Sequence, residues 1–265
     1  ISSGILCINF TKMDSWEIIQ TLTELKKNLL RIFKIELEIN DDNYHPAKQR
    51  NRKRLDNLQI YRDWLLQITI CDPACGSGAF LINATEILLE ITEELEKIKN
   101  DTKTQASSGK LDDWQKEKET SKIIKNNIFG IDINRDAVQI TKLSLFLIMA
   151  KPGEKLTNLS QNIIMGNALI DDKNVYSNGF IWKTVFPEVT VSGGFDVVIG
   201  NPPYSGVSAN MSEGASALIE PYKFVDGQPL GERKHWLQDD YVKFIRLAQL
   251  IVQTTGTGIL GYITN

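Results

Sequence analysis

Residues 195–204, FDVVIGNPPY, constrain this chain more than any other stretch. A run of apolar and β-branched residues suits a strand covered on both faces, which predicts a buried strand over 196–199. Pro202 and Pro203 cannot extend that strand or begin a central one. The turn must therefore project past the strand's carboxyl end, where open α/β sheets bind their ligands. It carries the carboxamide of Asn201, the exposed carbonyl before Pro203 and the ring of Tyr204 on one rigid loop. Two acceptors and a flat face can hold a planar ring bearing an amine. A tight Asn-Pro turn after an ordinary strand fits the same ten residues, so the rest of the chain must decide.

Three more strand ends carry polar or glycine residues. Residues 68–72 read as a strand running into PACGSGAF and then a helix over about 79–99. Gly76 and Gly78 let the backbone approach a ligand, and the helix start offers unpaired N–H groups to a carboxylate or phosphate. The pattern departs from the dinucleotide fingerprint, because Leu81 stands where the third glycine belongs. Residues 128–133, IFGIDI, form a second strand with Asp132 near its end, placed to bind the two hydroxyls of a ribose. Residues 101–122 read as a polar surface excursion, which lengthens the spacing between the glycine turn and Asp132. Asn134 caps a helix to about residue 150, and residues 163–165 form a third strand ending at Gly166, Asn167 and Ala168.

The alternation of strand and helix predicts an α/β fold with a doubly wound, mainly parallel sheet. Asp72, Gly76, Gly78, Asp132, Asn167 and Asn201 then share one edge, as a ligand crevice requires. Residues 205–238 form a long connection, residues 240–254 a helix, and residues 259–264 a further strand. Residues 1–66 read as a helical segment before this domain, with helices over 14–38 and 55–66. Between them lie Lys48, Arg50, Arg52, Lys53 and Arg54, which suit either a phosphate-contacting patch or a solvated face. Residues 67–265 make the second unit.

Composition excludes several chemistries. The chain has two histidines and three cysteines in 265 residues, and no spacing among them completes a metal site or a Ser-His-Asp triad. No metal is expected. The cysteine usage, the absence of an apolar run long enough for a bilayer and the lack of a signal-peptide layout point to the cytoplasm and to no membrane. A formal net charge of −3 does not suit a self-sufficient nucleic-acid binder. The abrupt ends suggest a piece of a longer polypeptide.

DPACGSGAF, GIDIN, GNAL and NPPY, in that order, resemble the motifs of gamma-class N6-adenine DNA methyltransferases. The lead-in FPEV to FDVVIGNPPY and the later GERKHWLQDDYVKF resemble the methyltransferase part of single-polypeptide restriction-modification enzymes. The resemblance runs from about Tyr61 to the end. It implies a Rossmann-like class I fold, S-adenosyl-L-methionine as cofactor and double-stranded DNA with a flipped target adenine as partner. Asp72, Ala74, Gly76 and Gly78 would line the methionine part of the cofactor. Asp132 would bind the ribose hydroxyls, Ile133 would pack on the cofactor's adenine, and Asn167 would accept from its amino group. Asn201 and the Pro202 carbonyl, on the Pro202–Pro203 turn, would accept from the target amine, and Tyr204 would stack on its ring. A target-recognition domain, and a nuclease where the parent cuts DNA, would lie outside this sequence. The alternatives are an RNA or protein-glutamine methyltransferase, or a non-catalytic cofactor-binding scaffold.

Overall fold

A computed structural model describes residues 5–9, 47–105, 115–150, 158–170, 182–191, 193–204, 210–231, 236–256 and 258–263. Its centre is a six-stranded sheet whose neighbours all run parallel. The strands are β1 (Ile5–Asn9), β2 (Ile70–Asp72), β3 (Ile128–Asp132), β4 (Ile163–Met165), β5 (Val197–Gly200) and, after the small hairpin strands β6 (Phe224–Val225) and β7 (Gln228–Pro229), β8 (Gly258–Tyr262). The order across the sheet is β4-β3-β2-β5-β8-β1. The chain thus builds outward from β2 to β4, then returns to the other side of β2 with β5. That reversal between β2 and β5 is the topological switch point, where the connections part and leave a crevice.

Parallel strands need crossovers, and the helices supply them on both faces. These are α1 (Ala47–Leu65), α2 (Ala79–Gln105), α3 (Lys116–Asn127), α4 (Arg135–Met149), the short α5 (Trp182–Val185), α6 (Pro187–Val191) and α7 (Glu213–Ala217), and α8 (Asp240–Thr255). Successive strand residues point to opposite faces, and the core divides accordingly. Ile70, Ile128 and Ile163 join Leu81, Leu88, Ile124 and Leu145 under α1–α4. Cys71, Ile131, Val198 and Leu260 join Phe186, Phe195, Phe244, Leu247 and Val252 on the side of α5–α8. Phe129, Phe186 and Phe195 meet edge to face with ring centres 5.3 to 5.4 Å apart. Such pairs add roughly 0.5–1.5 kcal/mol beyond their burial. At the foot of the switch point Asp196 Oδ2 accepts from Thr69 N at 2.8 Å and from Thr69 Oγ1 at 3.0 Å, so β5 enters beside β2.

The structure corrects two sequence expectations and adds detail to a third. Residues 1–66 are not wholly helical: Ile5–Asn9 is a strand, paired in register with Gly258–Tyr262 of β8 at the sheet edge. The five residues ILCIN were too few to signal a strand against the helical pattern that follows. The helix expected over 14–38 lies outside the described residues. The polar stretch 101–122 is not one excursion, because α2 runs on to Gln105 and α3 begins at Lys116. Charged residues hid α3; it buries only Glu119, Thr120, Ile123, Ile124 and Asn127. Glu119 is matched by Arg62 Nη2 at 2.7 Å, and Asn127 Nδ2 donates to the carbonyls of Leu65 and Ile68. The connection after residue 204 contains the hairpin β6–β7, closed by Asp226 at φ 50 and Gly227 at φ 76. An Asp-Gly pair with both φ values positive is the turn that matches strand twist.

Candidate active site

The residues selected around the strand ends lie on the carboxyl edge of the sheet, and hydrogen bonds join several of them, whereas Lys48, Arg50, Arg52, Lys53 and Arg54 lie on α1. The glycine turn after β2 is closed by Gly78 N donating to Cys75 O at 2.8 Å. Gly76 and Gly78 have φ values of 53 and 86, where a side chain would be strained. A Cβ on Gly78 would also stand 2.7 Å from Thr141 Cγ2 of α4. The missing third glycine has its counterpart on the strand. Gly130 of β3 leaves room for Leu81, whose Cδ1 would be 2.7 Å from a Cβ there. Close approach of α2 to the sheet therefore depends on Gly130 rather than on a helix glycine.

Asp132 fastens this turn to β3. Its Oδ2 accepts from Gly76 N at 2.8 Å and its Oδ1 from Asn134 N at 2.7 Å. Thr141 Oγ1 donates to Gly76 O at 2.7 Å, so Gly76 is held from both sides. Each Asp132 oxygen keeps acceptor capacity for a further donor. Asn134 caps α4 as expected, accepting from Asp136 N and Ala137 N. Ile133 is more than half exposed, unusual for so large an apolar side chain. Met165, paired with Asp132 in the sheet register, is also exposed. Together they offer an apolar rim beside the Asp132 carboxylate. Sequence reading missed Met165, since one methionine at a strand end carries no distinguishing pattern.

Asp72 closes β2 at the switch point, with 1% of its surface exposed. Its Oδ1 accepts from Ala74 N at 3.0 Å, whereas its buried Oδ2 has no hydrogen-bond partner. Burial pushes its carboxyl up to about 7, and nearby Asp132 adds to the effect. Tyr262, the last residue of β8, is buried beside it with its hydroxyl likewise unpartnered. Burial first, and the Asp72 charge second, raise that phenol well above its ordinary range. Gly200 separates Asp72 from the NPPY loop: it has φ 153, and a Cβ there would lie 2.6 Å from Asp72 Oδ1. Only glycine fits at that point.

The loop itself is mostly open. Asn201, Pro203 and Tyr204 are exposed and Pro202 is buried. Tyr204 Oη lies 2.8 Å from Asn201 Oδ1 and 2.6 Å from the Ile263 carbonyl, just past β8. A phenol carries one proton, and a carbonyl can only accept. The proton therefore goes to Ile263 O, and the carboxamide serves the phenol best by turning its NH2 toward it, since its two ends have the same shape. That orientation leaves the Asn201 carbonyl oxygen facing away from Tyr204. The Tyr204 ring lies 5.8 Å from that of Tyr241 at the start of α8, a neighbour sequence reading did not pick out. Burial, then Tyr241, raises the Tyr204 phenol.

Asn167, after β4, is 8% exposed. Its Oδ1 accepts from Leu169 N at 3.1 Å and its Nδ2 donates to Asn210 Oδ1 at 2.5 Å. Among the described residues there is no group of three or more His, Cys, Asp or Glu that could hold a metal ion. Among them, too, no helix is long and apolar enough to cross a membrane.

The sequence matches the model of the Eco57I restriction-modification methylase family over residues 126–265, more than half of the chain. The chain belongs to that family. Residues 60–149 also match the RMKL-like methyltransferase domain. Among curated proteins it is 33% identical over 161 residues to one named as a type II restriction enzyme and methyltransferase of Methanocaldococcus jannaschii, covering 56% of this chain and 13% of that one. It is 30% identical over 168 residues to the type II restriction enzyme and methyltransferase RM.Eco57I of Escherichia coli, covering 60% of this chain and 16% of that one. The matched part thus spans less than a fifth of either relative. The fold also resembles that of the type IIL restriction-modification enzyme MmeI, solved in complex with DNA. The TM-score is 0.50 at 19% identity, covering 86% of this chain and 28% of that one.

Proposed function

We propose that this chain, with residues 67–265 as its catalytic core, transfers the methyl group of S-adenosylmethionine to N6 of adenine in a specific DNA sequence. The observation that carries the reading is the junction at the switch point. Asp72 touches the place of a Gly200 side chain, and Gly200 leads straight into Asn201. A group held by the β2 and β3 ends would then adjoin one held by the NPPY loop.

The residues fit the cofactor. An unpartnered, buried Asp72 oxygen and the half-buried turn at Gly76 suit the amino-acid end of such a molecule. The remaining acceptor capacity of Asp132 suits two ribose hydroxyls, and Ile133 with Met165 suits a flat ring. The cofactor supplies an activated methyl on a sulfonium. The chain's own residues then have three tasks. Asn201 and the Pro202 carbonyl accept from the target amine, whose lone pair is otherwise delocalised into the ring. Acceptors out of the ring plane favour a more tetrahedral nitrogen and offset the positive charge that develops on it. Tyr204 offers its face to the base and holds Asn201 by its hydroxyl. Positioning for in-line attack supplies much of the remaining rate. A base inside a duplex cannot reach this loop, so the target must be flipped out.

The test uses the full-length protein and labelled S-adenosylmethionine, with DNA, RNA and protein offered together. The expected product is N6-methyladenine in DNA. Label confined to RNA or to protein glutamine would overturn the reading. Cofactor binding without transfer to any acceptor would favour a scaffold.

A further inference from the structure

A buried polar chain runs from the crevice into α8. Asn167 Nδ2 donates to Asn210 Oδ1 at 2.5 Å, and Asn210 Nδ2 donates to Asp240 Oδ2 at 2.8 Å. Lys243 Nζ, on a fully buried residue, donates to the Asn210 backbone carbonyl at 2.5 Å and to Asp240 Oδ1 at 3.5 Å. Asp240 itself is 4% exposed. Residues from three separate parts of the sequence therefore meet in one network.

The network has a direction. A carboxamide can present either its oxygen or its NH2, whereas a carboxylate only accepts. Asp240 therefore forces Asn210 to point its NH2 inward and its oxygen toward Asn167. Asn210, together with the Leu169 amide that donates to the Asn167 oxygen, holds Asn167 with its NH2 away from the crevice edge. The Asn167 oxygen, already holding Leu169 N, keeps one acceptor site for an outside donor.

We infer that Asp240, through Asn210, is a positioning residue that acts with the Leu169 amide to hold Asn167 as an acceptor and so favours an amine-bearing purine in the cofactor site. Lys243 keeps the buried carboxylate paired and the Asn210 backbone in place. This inference rests on the reading that Asn167 faces the cofactor's adenine amino group. An aspartate at position 167 would accept in either orientation and would need no such control.

The test measures two affinities on the full-length protein: for S-adenosylhomocysteine, and for its inosine counterpart, in which oxygen replaces the 6-amino group. The wild type is expected to prefer the adenine form about tenfold or more, as one well-placed hydrogen bond to a buried group allows. Asp240→Asn should lower the ratio several-fold, with the Leu169 amide retaining part of it. Adding Asn167→Asp to Asp240→Asn should restore it, which a merely structural loss would not permit. Asn210→Ala leaves the Asp240–Lys243 pair intact and should also lower the ratio, so folding of Asp240→Asn is not decisive. An unchanged ratio in folded Asp240→Asn or Asn210→Ala overturns the relay while leaving Asn167's own role standing. A wild type without preference overturns that role and the relay together.

Discussion

The two sides of the crevice are built differently. On the β2–β3 side, three hydrogen bonds of 2.7 to 2.8 Å join Asp132, Gly76, Asn134 and Thr141 into one clasp. Two of their donors are backbone amides, so the shape is set before any ligand arrives. On the β5–β8 side, residues 201–204 leave the sheet exposed, and the phenol of Tyr204 ties them to the end of β8. A preformed clasp suits a molecule that must be held in one pose. An open loop with acceptors suits a base that comes from outside and is bound mainly as it reacts. On the proposed reading, the comparison assigns holding and reacting to different strand ends, which meet at Asp72 and Gly200.

Breaking the open side should have the largest effect. Asn201→Ala in the full-length protein should slow single-turnover methyl transfer by about 10²–10³-fold, the usual cost of losing one group that meets developing charge. Cofactor affinity should stay within a few-fold. Breaking the clasp should do the reverse. Asp132→Ala should weaken S-adenosylmethionine binding by about 10–100-fold, since hydrogen bonds to a charged group are worth about 1.5–3 kcal/mol. Calorimetry reads that change directly.

The join can be tested through stability. Gly200→Ala should lower the unfolding free energy by about 1–3 kcal/mol, because φ 153 is strained for a side chain and the new Cβ meets Asp72. Denaturant titration measures it. Asp72 gives a pH test. Its carboxyl titrates near 7 in the folded chain and near the ordinary aspartate value when unfolded, so the folded state holds the extra proton between about pH 4 and 7. Stability should therefore fall as pH rises through that window and level off above it, and Asp72→Asn should flatten the slope. The smallest effect belongs to Tyr204→Phe. It keeps the ring, loses the two neutral hydrogen-bond contacts of the hydroxyl, each worth about 0.5–1.5 kcal/mol, and should slow transfer up to about tenfold. A loss as large as that of Asn201→Ala would mean that the hydroxyl does more than orient the carboxamide.

The strand–turn–helix units were legible because each carries its own local chemistry. Gly76 and Gly78, the Asn134 cap and the paired prolines declare their turns without reference to anything distant. Asp132 and Asn201 could be placed at strand ends for the same reason. The remaining features depend on contacts far apart in sequence. Gly130 makes room for Leu81 across 49 residues, as their numbers show, and no helix-turn motif contains both. Asn167, Asn210 and Asp240 meet only because α8 packs beside the crevice. β1 joins the sheet more than 240 residues from its partner β8, so local periodicity could not place it. The charged helix α3 was hidden because its buried Glu119 finds its cation on α1.

The most direct measurement pairs cofactor affinity with methyl-transfer rate in the same full-length preparations of Asp132→Ala and Asn201→Ala. The division of labour requires opposite results. Asp132→Ala should lose affinity and recover much of its rate at saturating cofactor, whereas Asn201→Ala should keep affinity and lose its rate at any concentration. Equal losses of affinity and rate in both variants, or full activity in Asn201→Ala, would contradict it.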